Sequence, residues 1–300
     1  MTAAPEPESV CAVIIAFHPD SGFVPRLRKL YSQFQAMVVV NNTPHSKEQA
    51  SLDLGMGGAE KFRLIQNGRN LGVGAALNQG LAQALAWGCR WIVTLDQDSR
   101  CYADMVQTLL QVKDRCATQP VVVGGNYYDP RNRTTRVPMG GPGEYLEQTT
   151  VITSACLVDA VFAERLGGFR DDYFIDQLDH EFCLRARKHG ARILISRKPV
   201  MEHSVGEDGG TWLPLFGRLP NHVPVRKYYI ARNSIVTIAR YWRVEPDWCA
   251  RRLLRLLFGA ALMLLFEERR RQKLKAFMLG IRDGLGHRMG ACEYGGLIQK

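Results

Sequence analysis

Residues 91–100 read WIVTLDQDSR. Trp91, Ile92, Val93 and Leu95 make an apolar run of strand length, and the run ends in two carboxylates one residue apart, Asp96 and Asp98. A run with no polar alternation is the pattern of a strand covered on both faces. Two like charges at its end are costly unless something compensates them. A divalent cation would do so, and hard oxygen ligands suit Mg²⁺ or Mn²⁺. The plainer alternative is a turn carboxylate followed by a helix cap, and Asp-x-Asp alone does not separate the two. Its place at the end of a core strand favours the metal reading.

The same pattern repeats on either side. SVCAVIIAF (9–17), AMVVVNN (36–42), FRLIQN (62–67) and PVVVGGNY (120–127) read as strands. Between them lie helical segments. GFVPRLRKLYSQF (22–34) puts Phe23, Leu27, Leu30 and Phe34 on one side, NLGVGAALNQGLAQALAWG (70–88) closes on Gly88, and a third helix is expected near 102–115. Alternation over 10–126 argues for a parallel sheet with helices on both faces. Such sheets bind ligands outside the carboxyl ends of their strands. Phe17-His18, Asn41-Asn42, Asn67 to Gly72 and Asp96-Gln97-Asp98 therefore share one rim. Residues 70–80 are not a dinucleotide fingerprint, because Leu77 stands where the third glycine belongs. Gly72 and Gly74 instead allow close backbone approach at a helix start, and Asn70 and Asn78 read as nucleotide contacts or as a cap and a solvated position.

Beyond 126 the pattern changes. Residues 127–148 read as a loop, TVITSACLV (150–158) as a strand, and DAVFAERLGGF (159–169) as a short helix stopped by two glycines. DYFIDQLDHEFCLRARKHG (172–190) leads into a helix ending at Gly190. Asp176 and Asp179 are three apart, and Asp179 falls in the first helical turn. The helix dipole there keeps a carboxylate ionised, which suits a cap and equally a general base. ARILISR (191–197) and PVMEHS (199–204) read as two more strands, the second carrying His203, and 204–223 reads as a polar, glycine-bearing loop. From about 225 the chain turns helical, giving a tail over 1–9, a domain over 10–225 and an extension over 226–300.

The net charge of +10 belongs to that extension. Residues 1–225 hold 23 basic and 23 acidic side chains, whereas 226–288 hold 15 and 5. The last quarter should thus meet something anionic: lipid headgroups, nucleic acid or a phosphorylated substrate. The eight cysteines show no CxxC or zinc spacing and read as reduced core residues, so a cytosolic location is expected. The start, MTAAPEPES, is acidic, carries no apolar signal segment and reads as a disordered tail. The longest uncharged apolar run, 256–266, has eleven residues, short of the roughly 20 that span a bilayer.

In order, AFHP, VVVNN, NLGVGAALNQG, LDQDS, VITSACLV, GGFRDDYFIDQLDHEFCLRA and MEHSVGE resemble the family-2 glycosyltransferases of GT-A fold. They are most similar to bacterial enzymes that use dTDP-L-rhamnose, and the resemblance covers about 10–240. It implies an α/β GT-A fold, a Rossmann-like mixed sheet with helices on both faces, followed by the basic helical extension. It implies a metal-dependent inverting glycosyltransferase with Mg²⁺ or Mn²⁺ held by Asp98 and His203, and Asp179 as base. It places nucleotide-sugar contacts at Phe17, Asn41, Asn42, Asn70, Gly72, Asp96, Gln97, Ser154 and Asp176. Asn41 stands where the family usually has Asp, and Ala155 where it often has Gly. Implied partners are a nucleotide-sugar donor and a glycan acceptor, often lipid-linked, at the inner membrane face, with no nucleic acid. Residues 248–281 could lie on an anionic bilayer or could cap the domain or form an oligomer contact. A UDP-sugar donor such as UDP-galactofuranose, and a non-catalytic nucleotide-sugar binder, are the alternatives.

Overall fold

The computed structural model describes residues 9–44, 55, 61–116, 121–203, 212–213, 217–218 and 221–298. The expected tail, apart from Ser9, and most of the 204–223 loop lie outside the described residues.

The first half follows the expected alternation: β1 (Val10–Ala16), α1 (Phe23–Tyr31), β2 (Ala36–Asn41), β3 (Phe62–Gln66), α2 (Val73–Ala86), β4 (Trp91–Asp96), β5 (Arg100–Cys101), α3 (Met105–Asp114) and β6 (Val121–Asp129). Then come β7 (Thr134–Thr135), β8 (Tyr145–Glu147), β9 (Cys156–Asp159), α4 (Ala160–Arg165), α5 (Leu178–Lys188) and β10 (Arg192–Glu202). Three long helices follow, α6 (Pro224–Tyr241), α7 (Pro246–Phe266) and α8 (Arg270–Leu285).

The main sheet runs β3-β2-β1-β4-β9-β6-β10-β5. β1, β2, β3 and β4 are parallel, as the apolar runs of β1, β2 and β4 imply, and every residue of β1 and β2 is buried. One apolar cluster packs beneath α2, α4 and α5, the other beneath α1 and α3. The sheet is not parallel throughout. β9 inserts antiparallel between β4 and β6, so β6 and β4 never touch although both point the same way. Two further expectations are corrected. ARILISR and PVMEHS form one strand, β10, whose pairing with β6 slips around Pro199, which has no N–H to offer a ladder. Residues 127–148 are not wholly loop: β6 continues to Asp129 and β7 and β8 add short antiparallel pairs.

The basic segment that reads as a continuous helical stretch is split at Glu267–Arg269. Glu267 is extended, and its largely covered carboxylate takes Lys227 of α6 at 2.5 Å and Lys273 of α8 at 2.6 Å. α6 packs along α8 and reaches into the domain. Its Arg232 and Asn233 are fully buried and donate to backbone carbonyls of residues 172–176. None of the eight cysteines is in a disulfide; seven are buried and Cys101 is half-buried.

Candidate active site

β4 ends at Asp96, and the chain turns at once. Ser99 donates its N–H to the Asp96 carbonyl at 3.2 Å, while its hydroxyl accepts from the Asp96 N–H at 3.2 Å. That hydroxyl also lies 2.6 Å from Ser154 Oγ, which is buried at the end of the 150–155 segment. Burial raises the Asp96 carboxyl to about 6. Asp98 and Asp179 push it the same way, and His203 and the Ser154 hydroxyl pull it down. Asp96 therefore feels a second member of its pair, a histidine 107 positions away and a carboxylate from α5.

The topology brings these groups together. The chain after Asp98 forms β5, which pairs antiparallel with the end of β10, Arg100 opposite Glu202. His203 follows Glu202 directly, so the pairing carries it towards the 96–99 turn. The His203 N–H donates to the Tyr128 carbonyl at 3.0 Å, and its ring stands edge-on to Tyr127 at 5.4 Å.

Asp179 arrives by a strained path. Phe174, Asp176 and Gln177 all have positive φ, 65°, 64° and 67°. Three such non-glycine residues cost of order 1–3 kcal/mol each and persist only where the surroundings over-determine them. Here Asn233 donates to the carbonyls of Tyr173, Ile175 and Asp176 at 2.8–3.0 Å, and Arg226 grips the Asp176 carboxylate at 2.7 Å. Gln177 is buried, and among the described residues its Oε1 has no hydrogen-bond partner. α5 then starts at Leu178, with Asp179 half-buried in the first turn and its Oδ1 accepting from the His180 N–H at 2.8 Å. Among the described residues no lysine or arginine forms an ion pair with Asp96, Asp98 or Asp179.

Other expected contacts have internal duties. Asn42 donates to the Gly72 carbonyl at 2.9 Å and accepts from Asn67 at 2.7 Å. Asn70 Oδ1 accepts from the Gly72 N–H at 2.9 Å. Gly72 has φ 87°, and a Cβ there would lie 2.7 Å from the Phe174 carbonyl oxygen, so the glycine makes room for the 171–179 loop. Asn41 is buried, accepts from the Thr43 N–H at 3.0 Å and reaches Gln66 at 3.3 Å. Gln97 Oε1 takes the Phe17 N–H at 2.7 Å, which leaves the Phe17 ring 43% exposed on the rim. Asp176 is committed to Arg226.

Sequence reasoning passed over two features. Glu181 is fully buried and holds Arg185 at 2.9 Å and the Tyr241 hydroxyl at 2.8 Å, pinning α5 to α6. Arg252, Arg255 and Trp248 of α7 come up beside His180. Their only local signal is the run DWCARRLLR, which reads equally as a solvated helix face.

The carboxylate pair offers hard oxygen donors, has no ion-paired lysine or arginine among the described residues, and feels one imidazole. That donor set fits a divalent cation. Among the described residues no three His, Cys, Asp or Glu side chains converge as a ready-made cage. The fit is therefore to a cation that takes few protein ligands and completes its shell with substrate oxygens, as magnesium does.

The model of glycosyl transferase family 2 matches residues 13–174, from β1 to the start of the strained loop. The chain belongs to glycosyl transferase family 2. A family relative, the dTDP-rhamnosyl transferase RfbF of Shigella flexneri, is 25% identical over 306 residues, covering 95% of this chain and 98% of its own length. Solved neighbours share the GT-A fold: S. aureus TarS (TM-score 0.57, 12% identity, 91% of this chain) and GalNAc-T7 crystallised with UDP, GalNAc and Mn²⁺ (0.59, 10%, 95%). The chain spans 49% and 57% of those two chains, and 92% of TarS 1–349 in complex with UDP-GlcNAc, which it matches with a TM-score of 0.53 at 12% identity. Asp179 and His203 fall beyond the matched segment of the family-2 glycosyl transferase model, so their place in the site rests on geometry.

Proposed function

We propose that this glycosyltransferase moves L-rhamnose from dTDP-L-rhamnose to a hydroxyl of a glycan acceptor in one inverting displacement. The observation that carries it is that Asp98, His203 and Asp179 all act on the Asp96 carboxyl at the end of β4. The end-to-end similarity to a dTDP-rhamnosyl transferase supports the donor. Asp179 takes the proton of the acceptor hydroxyl as its oxygen attacks the anomeric carbon, and dTDP leaves from the opposite face. The dipole of α5 favours its charge, and among the described residues no lysine or arginine pairs with it, which leaves that carboxylate free to act as a base. Asp98 and His203 would hold Mg²⁺ or Mn²⁺, with Asp96 behind them. Bound there, the ion would neutralise charge growing on the departing diphosphate. Asn233, Arg232 and Arg226 position the base by holding the loop that precedes it. Phe17, at the mouth of the rim, offers a face for the nucleobase.

The acceptor is proposed to be membrane-linked, with the protein peripheral on the inner face. Among the described residues no helix is long and apolar enough to cross a membrane. α7 nevertheless exposes Leu254 (65%), Leu257 (58%) and Leu265 (67%), and its end runs into Arg269, Arg270 and Arg271. An apolar face flanked by arginines suits an anionic interface.

Thermal unfolding with Mn²⁺ and dTDP, UDP or NAD tests the donor. Protection by dTDP above UDP, lost with EDTA, is expected. Stronger protection by UDP would move the donor to a UDP-sugar, and none by either nucleotide would remove the reading.

A further inference from the structure

A cavity of about 120 Å³ opens beside His180, the residue after Asp179, and Arg136, Arg251, Arg252, Arg255 and Trp248 line it. Arg136 comes from the chain after β7, and the other three arginines from the first turns of α7. Elsewhere arginines such as Arg26, Arg170, Arg185, Arg187 and Arg226 are ion-paired. Among the described residues none of these four is. Like charges three and four apart on one helix destabilise it, so 251, 252 and 255 are not placed there for the helix.

Arg252 is the most enclosed. Its Nε and Nη2 meet Ser234 Oγ at 3.0 and 2.8 Å, and burial lowers its guanidinium to about 10 despite the attraction of Asp179. Burial lowers the His180 imidazole, Asp179 opposes this, and Arg252, Arg255 and Arg136 add to the lowering. His180 Nδ1 is tied to Thr150 Oγ1 at 2.9 Å, so the ring forms part of the wall. Arg136, Arg251 and Arg255 stand exposed around the half-buried Arg252, and a covered cation with no ion-pair partner is costly until an anion neutralises it. The planar arginine fork matches phosphate oxygens.

The anion is a second one, separate from the donor's diphosphate. Asp96 feels Asp98, His203 and Asp179, while Arg252 feels Asp179, Arg255 and Asp176. Asp179 is common to both sets. In α5 it directly precedes His180, which lines the arginine cavity. A base in that position faces the donor across one boundary and the acceptor across the other.

We propose that the Arg136–Arg251–Arg252–Arg255 cavity seats a phosphate or diphosphate carried by the acceptor, and so presents its hydroxyl to Asp179. This rests on the glycosyl-transfer reading and names its acceptor class, a phosphorylated glycan carrier. Of the anions that the basic last quarter could meet, it selects the phosphorylated substrate.

The test is titration of inorganic pyrophosphate into the full chain with EDTA present, followed by calorimetry and Trp fluorescence. Wild type should bind, and Arg251→Gln/Arg255→Gln should weaken binding about tenfold or more, as loss of charge-assisted contacts does. Both residues are exposed, and Arg136→Gln, on a separate segment, should weaken it independently. Protection by dTDP with Mn²⁺, measured on the same samples, should persist in every variant. Absence of pyrophosphate binding to wild type, or equal binding to all variants, overturns the proposal. Loss of flotation on phosphatidylglycerol vesicles with pyrophosphate binding intact assigns the arginines to the bilayer and overturns it too. If dTDP fails to protect wild type, the donor reading falls, whatever the pyrophosphate result.

Discussion

Replacing Asp96 by Asn should make the metal-free protein more stable while impairing its use of the donor. Asp96 is held at about 6 against an ordinary 3.8. Each pKa unit is worth about 1.4 kcal/mol, so ionising this carboxyl costs the fold about 3 kcal/mol. The sign follows from proton binding. Between roughly pH 4 and 6 the native state holds the proton that the unfolded chain has released, so stability falls as pH rises through that window and stays at its lower level above it. The amide of Asp96→Asn is isosteric with the carboxylate, can still accept from the Ser154 hydroxyl, and carries no charge. At pH 8 with EDTA the variant should therefore be more stable by up to about 3 kcal/mol. Unfolding entropy near 2 cal/mol/K per residue gives about 0.6 kcal/mol per degree for 300 residues, so Tm should rise by about 5 °C. The advantage should shrink towards pH 4. The assay is urea and thermal unfolding at pH 8, 6 and 4.5, beside dTDP binding with Mn²⁺, which should weaken. An Asp96→Asn protein that is less stable at pH 8, or that keeps the wild-type pH slope, refutes the picture of a strained, uncompensated carboxylate pair.

Asp179→Asn should retain protection by dTDP and lose about 10²–10⁴ in kcat, read from dTDP release with an acceptor present; unchanged turnover would take the base role from Asp179. Glu181→Ala should cost about 3–5 kcal/mol in urea unfolding, because it leaves the buried Arg185 charge without its carboxylate and the Tyr241 hydroxyl without its acceptor. Gly72→Ala should destabilise by about 1–3 kcal/mol, since φ is 87° and the new Cβ meets the Phe174 carbonyl. It should also disturb the loop before Asp179, seen as altered protease cleavage at 171–178.

The core of the fold was legible because β1, β2 and β4 are unbroken apolar runs, and such runs say that both faces are covered. Strand direction leaves no such trace. Nothing in CLVD marks β9 as antiparallel, since direction depends on where the preceding chain happens to return. Pro199 looked like a break between two strands because its missing N–H is a local fact, whereas the pairing with β6 that spans it is not. In the candidate site, Asp96 and Asp98 stood out as charge at the end of a core strand. Asn42, Asn70 and Gly72 lie on the same rim, but their hydrogen bonds and close contact with Phe174 turn inward, which spacing cannot express. The arginine cavity was hidden for a related reason. Arg136 and Arg252 are 116 positions apart, and only the packing of α7 on the start of α5 makes them neighbours.

The most direct measurement is a crystal structure of the chain grown with dTDP-L-rhamnose and Mn²⁺. The expected result is the ion within about 2–2.5 Å of Asp98 and His203 and of diphosphate oxygens, with the anomeric carbon facing Asp179. A nucleotide bound away from the Asp96–Asp98 turn, or an ion held without either of those two side chains, would contradict it.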